Sequence, residues 1–455
     1  MSTFSGINIA LSALFAYQRG LDVTGQNVAN VNTPGYHRQS VVLGARAGEV
    51  PGPMGTGLLC GGVDVLGLQR AETGYLDLQI RLAASTQGRW TASQEPLGAV
   101  QSVLSQPLED DLGALLDKFW GSWQALSASP DQLAPRIELR QAAHRLTTSL
   151  NTRYSHLVTL QASLYASIEN KVTELNQLAA KVAELNGRIA ASTAAGRESG
   201  ELLDQRQQAL EGLARIGGVV AYAPEADSGA IVSLGGQPLV QGDMDFALEV
   251  GRGPLGEVQL TWAADGLPAQ VTGGELAGLI AVRDEQVPQY RQALDDIAAA
   301  LVASVNDLHD DGAGMRGQVG AFLSGTGAAD IRLADAIAAD PAAIAAGAAG
   351  LPGDGGVAAA IAALRDQALL GGQTLGQAAS RLVTEIGSQV NEAESQAAVA
   401  EALRRQLTIQ QQSIGGVSLD EEMANMIEYQ HAYNASARVL ATMDEMIADL
   451  LEQVG

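Results

Sequence analysis

The chain carries a single cysteine, Cys60, among 455 residues. One thiol excludes an intramolecular disulfide and any structural zinc site built on several thiolates. Aromatic residues reach only 4%, so cores must be filled mainly by aliphatic side chains. Basic residues are scarce too: 27 Lys and Arg stand against 51 Asp and Glu, a formal charge of -24. That balance excludes a broad electrostatic footprint for nucleic acid or an anionic membrane surface. It suits instead a subunit that must stay apart from its copies until it is assembled. No stretch approaches the length of a membrane span. The apolar start from Ile7 to Ala16 is interrupted by Asn8 and Ser12 and has no charge before Arg19, whereas a cleaved secretory signal needs a positive leading region. The expectation is a soluble chain with no membrane span, one that leaves the cell, if it does, without a cleaved signal peptide.

What the sequence does have is a long helical seam at each end. Neither Pro nor Gly occurs between Leu419 and Val454. Met426, Tyr429, Tyr433, Ser436, Leu440, Met443, Ile447, Leu450 and Val454 recur there at steps of three and four, with only Ser436 breaking the apolar rule. Such a seam belongs to a helix that lies along a partner helix; at 1.5 Å per residue it would run about 54 Å. Ile7, Ala10, Leu14, Tyr17, Leu21, Thr24 and Val28 repeat the rhythm at the other terminus. Two unrelated amphipathic helices would also give two seams, but the same register at both extreme ends favours one coiled hairpin from which the rest of the chain hangs.

The N-terminal helix runs into Asn27-Val-Ala-Asn30-Val-Asn32-Thr-Pro34-Gly35-Tyr36. Pro-Gly suits the centre of a type II turn, with Gly35 at positive φ, and Asn30 and Asn32 can close local backbone groups. A plain helix-ending loop accounts for Pro34 and Gly35 but not for three Asn within six residues. Two β-prone runs follow, Arg38–Leu43 and Val63–Gln69, separated by a loop rich in Pro and Gly (Pro51 to Gly57). They read as a β connector from the hairpin to the body. Helical periodicity returns from Gly74 to Trp123, with breaks expected at Pro96 and Pro107. Three further helical seams run through Leu164–Ile189, with Lys171 as the lone break, through Val287–Leu308 and through Leu382–Leu407. From Gly217 to Gly273 the pattern changes to short apolar runs divided by Gly, with Gly235-Gly236 and Asp265-Gly266 as turns. The Ala-rich stretch 328–370 reads as short helices on the flank.

The fold expected is mainly α with a β insertion: an elongated multi-domain protein with a long helical bundle, a terminal coiled-coil hairpin and a small antiparallel β domain. Residues 1–60 and 405–455 would form the terminal polymerisation domain with its β connector. Residues 61–215 and 274–404 would form a discontinuous bundle, and 216–273 the inserted β-rich domain.

The segment Asn27 to Tyr36, reached by a helix containing Gln18 and Gly25, resembles the N-terminal signature of the bacterial flagellar rod, hook and hook-associated proteins. Three more blocks are similar to the hook-associated members that join hook to filament: Leu202-Leu-Asp204-Gln-Arg206, Gly274-Glu-Leu-Ala-Gly278 through Arg283-Asp284, and Gly416-Val-Ser-Leu-Asp-Glu-Glu422 through Tyr429–Arg438 to Met446. Four blocks in order cover both ends and the middle. The resemblance implies a structural subunit of the flagellum at the hook–filament junction, exported through the flagellar type III apparatus and needed for filament assembly. It implies self-assembly into a ring in the flagellar axis between the hook protein and the second junction protein, and an export chaperone at the C-terminal region. A rod or hook subunit is the alternative, less compatible with the two inner blocks. On this reading Asn27, Asn30, Asn32, Pro34, Gly35 and Tyr36 form the turn. The assembly seam is Ile7, Leu14, Tyr17 and Leu21 with Met426, Tyr429, Tyr433, Leu440, Met443, Ile447 and Leu450.

Signs of catalysis are weak. The five histidines are scattered, and His309 before Asp310-Asp311 reads as solvated helix-end polarity. Gly312-Ala-Gly314-Met-Arg-Gly317 matches a dinucleotide fingerprint formally, but follows a helix where that fingerprint requires a strand, so it reads as a flexible loop. The acidic pairs Asp110-Asp111, Asp295-Asp296 and Glu421-Glu422 fit exposed faces or helix starts, where the dipole favours them; Ser418 with Glu421 has capping-box spacing. No catalytic residue, metal ligand or cofactor is expected, and neither a secreted enzyme nor an adhesin finds its cluster or insertion here.

Overall fold

The computed structural model describes residues 3–52, 55–71, 73–105, 111–223, 229–348 and 353–454. Their side chains are described except at 3–5, 47–52, 55–60, 450, 453 and 454. Helix α1 (Thr3–Ala29) opens the chain and α11 (Leu419–Val454) closes it, and the two lie side by side. Their direction is fixed by two close approaches: Gly6 faces Met443, and Gly20 faces the Tyr429 ring. The pair is therefore antiparallel. Glycine at these two positions lets the helices come closer than a β-carbon would allow.

Strands β1 (Gln39–Gly52) and β2 (Gly55–Arg70) form a two-stranded antiparallel ribbon with register shifts at Val42/Leu43 and Ala45/Ala47. The ribbon is longer than the sequence suggests, because the strands run through Pro51, Gly52, Gly55 and Gly57, expected as loop. A ribbon of two strands has only edge strands, and Pro and Gly are tolerated at edges. The ribbon is also not a spacer. It folds back along α1, with the Val63 N–H donating to Ser12 Oγ at 3.2 Å, so both of its feet stand where hairpin meets body.

The body contains α2 (Gly74–Leu104), α3 (Leu112–Ala128), α4 (Leu133–Ala194) and α5 (Gly200–Gly217). After the β segment follow α6 (Gly274–Ala281), a π-helical turn (Val282–Gln286), α7 (Val287–His309) and, further on, α10 (Leu375–Gly415). α10 runs antiparallel to α2, with Gln411 bonded to Asp77 and Arg404 to Gln87. α2 passes through Pro96, where a break was expected; the proline is buried within the helix, and packing holds the turn it weakens. Two glycines set the tightest crossing: a β-carbon on Gly278 would overlap the Arg89 carbonyl oxygen, and one on Gly88 the Arg215 carbonyl oxygen. α5 and α6 thus pack directly on the backbone of α2.

α4 spans 62 residues, about 93 Å at 1.5 Å per residue. Leu164, Ile168, Leu175, Val182, Leu185 and Ile189 of its expected seam are buried. Lys171 breaks the seam for a reason: its ammonium lies 2.8 Å from both Glu174 and Glu275, tying α4 to α6. In α7 the seam drifts from Leu308 to Val305 and His309, which are the buried positions.

The β segment is a four-stranded antiparallel sheet, β3 (Val220–Tyr222), β4 (Ile231–Leu234), β5 (Gln237–Gln241) and β6 (Met244–Asp245), beside a hairpin of β7 (Leu248–Arg252) and β8 (Val258–Trp262). Gly235 and Gly236 both take positive φ between β4 and β5, as a tight hairpin turn requires. The sheet is read by two asparagines of α4. Asn176 bonds both N–H and C=O of Leu248, and Asn186 does the same for Ala230. The stretch after α7 carries β9 (Leu323–Ser324), β10 (Arg332–Leu333), α8 (Asp335–Ala339) and α9 (Gly356–Ala363), with single 3-10 turns at Pro341–Ala343 and Leu364–Asp366.

Candidate functional site: the joint of the paired chain ends

Three crossings connect hairpin to body: Tyr36–Gln39, Arg70–Thr73 and Gly415–Val417. The first begins in the turn Thr33-Pro34-Gly35-Tyr36. The Tyr36 N–H donates to Thr33 O at 3.2 Å and Gly35 has φ +77°, a type II turn with glycine where positive φ is required. Asn30 stabilises the approach by donating to Gln26 O and accepting from the Thr33 hydroxyl. Asn32 and Pro34 are exposed, and the Gln208 amide of α5 donates to Pro34 O at 2.5 Å.

Asn27 is the centre of the first knot. Its Nδ2 donates to Gln39 O at 2.8 Å and to Glu422 Oε2 at 2.9 Å. Its Oδ1 accepts from the Tyr36 hydroxyl at 2.9 Å and the Gln39 N–H at 3.1 Å. All the bonding capacity of one amide is directed to four partners, which explains Asn rather than Asp or Ser at this place. Glu422, read from sequence as a helix-start charge, is only 1% exposed. Its burial is compensated by Asn27 and by Arg38, whose Nε and Nη1 reach Glu422 and Glu421 at 2.8 Å each. The Arg38 N–H also donates to Gly415 O at 2.9 Å. One residue thereby holds α11 and the end of α10.

Asp204, from the inner Leu202–Arg206 block, centres the second knot. It accepts from the His37 N–H at 3.2 Å and the Arg70 Nε at 2.8 Å, and lies 2.8 Å from His37 Nδ1. Both feet of the ribbon, His37 and Arg70, are thus fastened to α5 through one buried carboxylate. A third tie is the ion pair of Arg19 on α1 with Glu198. Thr73 donates to Asp77, which also accepts from Gln411, so α2 and α10 enter the same network.

The electrostatics suit a fixed joint. Burial, reinforced by the negative charges of Asp204 and Glu422, pushes the Tyr36 phenol up to about 12, which keeps it a neutral donor to Asn27. Burial likewise raises the Glu211 carboxyl, with Asp77 adding to it against the counter-pull of Gln207, Arg81 and Arg404. Beside these groups a cleft of about 630 Å³ opens under the turn. Its lining is mostly polar and includes Asn30, Asn32, His37, Gln208, Glu211 and Arg404. Among the described residues no group of three His, Cys, Asp or Glu could hold a metal ion, and no helix is long and apolar enough to cross a membrane.

The seam residues Ile7, Leu14, Tyr17, Leu21, Met426, Tyr429, Leu440, Met443 and Ile447 are half-buried between the helices, and Tyr433 stands at the exposed edge. Tyr17 and Tyr429 meet at 6.4 Å between ring centroids. The Leu450 side chain lies outside those described. Ala16, Gly20, Val23 and Asn27 are fully buried on α1, and of these the sequence reading flagged only Asn27. The partners Asp204, His37, Arg38, Arg70 and Glu422 were not recognised as one site, because residues so far apart in the chain leave no local spacing to read.

Paired chain ends fastened to an intervening helical body define a subunit whose two termini form one unit. The flagellar hook-associated protein FlgK helical domain matches residues 97–323. The flagella basal body rod protein family matches 7–37, and the flagellar basal body rod FlgEFG protein C-terminal family 413–453. The chain belongs to the flagellar rod, hook and hook-associated protein family, on its hook-associated protein 1 branch. It is 27% identical over 506 aligned positions to flagellar hook-associated protein 1 of Bacillus subtilis, covering all of this chain and 99% of that protein. The proteins of that name in Salmonella typhimurium and Escherichia coli are 28% and 27% identical; the matches cover 67% and 69% of this chain and 56% and 58% of theirs. The fold is similar to the flagellar hook junction protein FlgK from Burkholderia pseudomallei, with a TM-score of 0.66 at 16% identity, covering 74% of this chain and all of that one.

Proposed function

We propose that this chain is a structural subunit at the junction of flagellar hook and filament, without catalytic activity, and that filament growth depends on it. The observation that carries the reading is the double knot. Asn27 and Glu422 lock the two chain ends to each other, and Asp204 locks them to the body, so the hairpin is presented at one fixed angle. A ring of such subunits requires that constancy, since a closed contact repeats the same geometry at every copy. The half-buried seam is then completed by neighbouring hairpins in the flagellar axis.

In that ring the hook protein lies on one side and the second junction protein on the other. Export proceeds without a cleaved signal peptide, with an export chaperone holding the C-terminal region until assembly. Residues 1–60 and 405–455 act as the polymerisation unit, 61–215 with 274–404 as the bundle, and 216–273 as an outer β module. A rod or hook subunit would share the paired ends, but it does not account for the inner helical domain at 97–323.

A strain lacking the gene tests this. It should build hooks, lack filaments, and release filament subunits into the medium; restoring the chain should restore filaments. Normal filaments in the deletion strain would overturn the assignment. Hooks that fail to form at all would move the chain to the rod or hook.

A further inference from the structure

The body carries an apolar recess that none of the described residues covers. It lies between α2 and α10, about 400 Å³ in volume, floored by Ala83 and Ala400 and walled by Leu82, Val399 and Leu403. The walls are 55%, 62% and 49% exposed. Gln79, Thr86 and Gln396 complete its lining, and no charged side chain enters it, in a chain of net charge -24. An uncharged apolar hollow on so acidic a surface marks a contact site. Through faces of that kind two copies of this chain can approach without like-charge repulsion.

The matching face is on α1. From Met1 to Gln18 the sequence has no charge, and Leu11 and Phe15 stand one turn apart, at the i and i+4 positions that share a helix face. Both point away from α11, and Phe15 is 64% exposed. Among the described side chains Phe15 is the one exposed phenylalanine; Phe119 and Phe322 are buried and Phe246 is half-buried. The exposed tyrosines lie elsewhere, Tyr75 and Tyr222 on the body and Tyr433 on α11. A phenylalanine over a floor of two alanines leaves nothing unsatisfied.

We propose that the recess between α2 and α10 receives Phe15, flanked by Leu11, from the terminal hairpin of a second copy. The contact is heterologous, ridge on one copy and hollow on the next, and propagates from copy to copy. The inference rests on the assembly reading above and adds to it the surface that sets neighbour spacing.

The test uses full-length chains in flagella. A Cys60→Ser background removes the native thiol. Cells co-express one chain carrying Phe15→Cys and a second, tagged chain carrying Leu403→Cys, and isolated flagella are treated with a short bismaleimide. A cross-linked product of two chains that appears only when both variants are present is the expected result. Leu11→Cys with Val399→Cys repeats the test at the neighbouring positions, should Phe15→Cys not incorporate. Incorporation of both chains without the mixed product, or cross-linking of Leu403→Cys to a different flagellar protein, would overturn the docking. Absence of the Cys60→Ser parent from flagella would instead overturn the assembly reading, and the docking with it.

Discussion

His309 shows how far one side chain can depart from its sequence setting. Beside Asp310 and Asp311 it reads as a solvated helix end, yet it is 1% exposed, packed against Trp123 and Phe322. Its Nδ1 donates to Gly320 O at 2.6 Å and its Nε2 accepts from the Ala345 N–H at 2.9 Å, which requires the neutral ring. Burial pushes its pKa below the ordinary 6.5, with Arg136 adding to the shift while Gly320 and Asp310 oppose it. Above 6.5 the folded and unfolded states are both neutral and the contribution is complete. As pH falls through 6.5 the unfolded chain takes up the proton first, so stability is lost toward the depressed folded value. The melting temperature should therefore drop between pH 7 and pH 5. His309→Phe should flatten that slope while lowering stability at pH 7, since a stranded buried N–H costs about 1–3 kcal/mol. An unchanged slope in the variant would show that other groups carry the pH dependence. Gly35 makes the opposite case, because its positive φ is legible from Pro-Gly alone. Gly35→Val must strain the turn, and its β-carbon would sit 2.5 Å from Gln208 Nε2, displacing the amide that holds Pro34 O. The body should melt as before, and secretion should continue, while incorporation at the hook tip falls and filament subunits leak into the medium. Retention of the variant inside the cell would place the turn in export recognition instead.

Elements were legible where pattern and environment agree. α11 is found from an uninterrupted seam, and β4 and β8 from short apolar runs between turns. Pro96 and the Pro51–Gly57 stretch mislead because local breakers were weighed without their setting. A buried helix pair sustains the first, and a two-stranded ribbon, both of whose strands are edges, accommodates Pro51, Gly52, Gly55 and Gly57. β5 is marked only by the Gly235-Gly236 turn before it, because Pro238 and two glutamines dilute its own pattern. The docking of the β sheet is not legible either, because nothing local marks Asn176 and Asn186 within a long helix, and only the fold brings backbone groups to them. Glycine is where elements are most vulnerable. Gly278→Val would force α6 off the Arg89 carbonyl and Ser93, an overpacking cost of about 1–3 kcal/mol or more. At about 2–4 °C per kcal/mol for a domain of this size, the body's melting temperature should fall by several degrees. The hairpin lies away from this crossing and should still pair. A melting temperature unchanged within error would mean that α2 and α6 can part freely and that the close crossing is not required.

At the scale of the whole molecule, the cores that fold the chain and the seam proposed to assemble it are separate. Most buried apolar residues of the bundle and the β segment form one large cluster, with a small second one at Leu76, Ile80, Ala83 and Leu407, whereas the seam between α1 and α11 is made mainly of half-buried side chains. The two parts are joined by a polar knot, not by a common apolar core. Damage to the hairpin seam should therefore spare the fold and abolish assembly. Leu440 is placed to test this, half-buried on α11 between the close approaches of Tyr429 to Gly20 and Met443 to Gly6. In Leu440→Asp a carboxylate must either be buried unpaired, at a cost of several kcal/mol, or hold the two helices apart. Neither outcome reaches the bundle, so the thermal transition of the body should move by less than about 1 °C, the scale expected of a site outside the cooperative core. In a ring the same defect recurs in every copy, and each misaligned hairpin meets a neighbour equally misaligned. Secretion should persist, filaments should not grow, and cells should swim no better than the deletion strain. Leu440→Met, which keeps an apolar side chain of similar volume, should restore motility. Normal swimming with Leu440→Asp would show that the seam is complete within one chain and that neighbours are held by another surface.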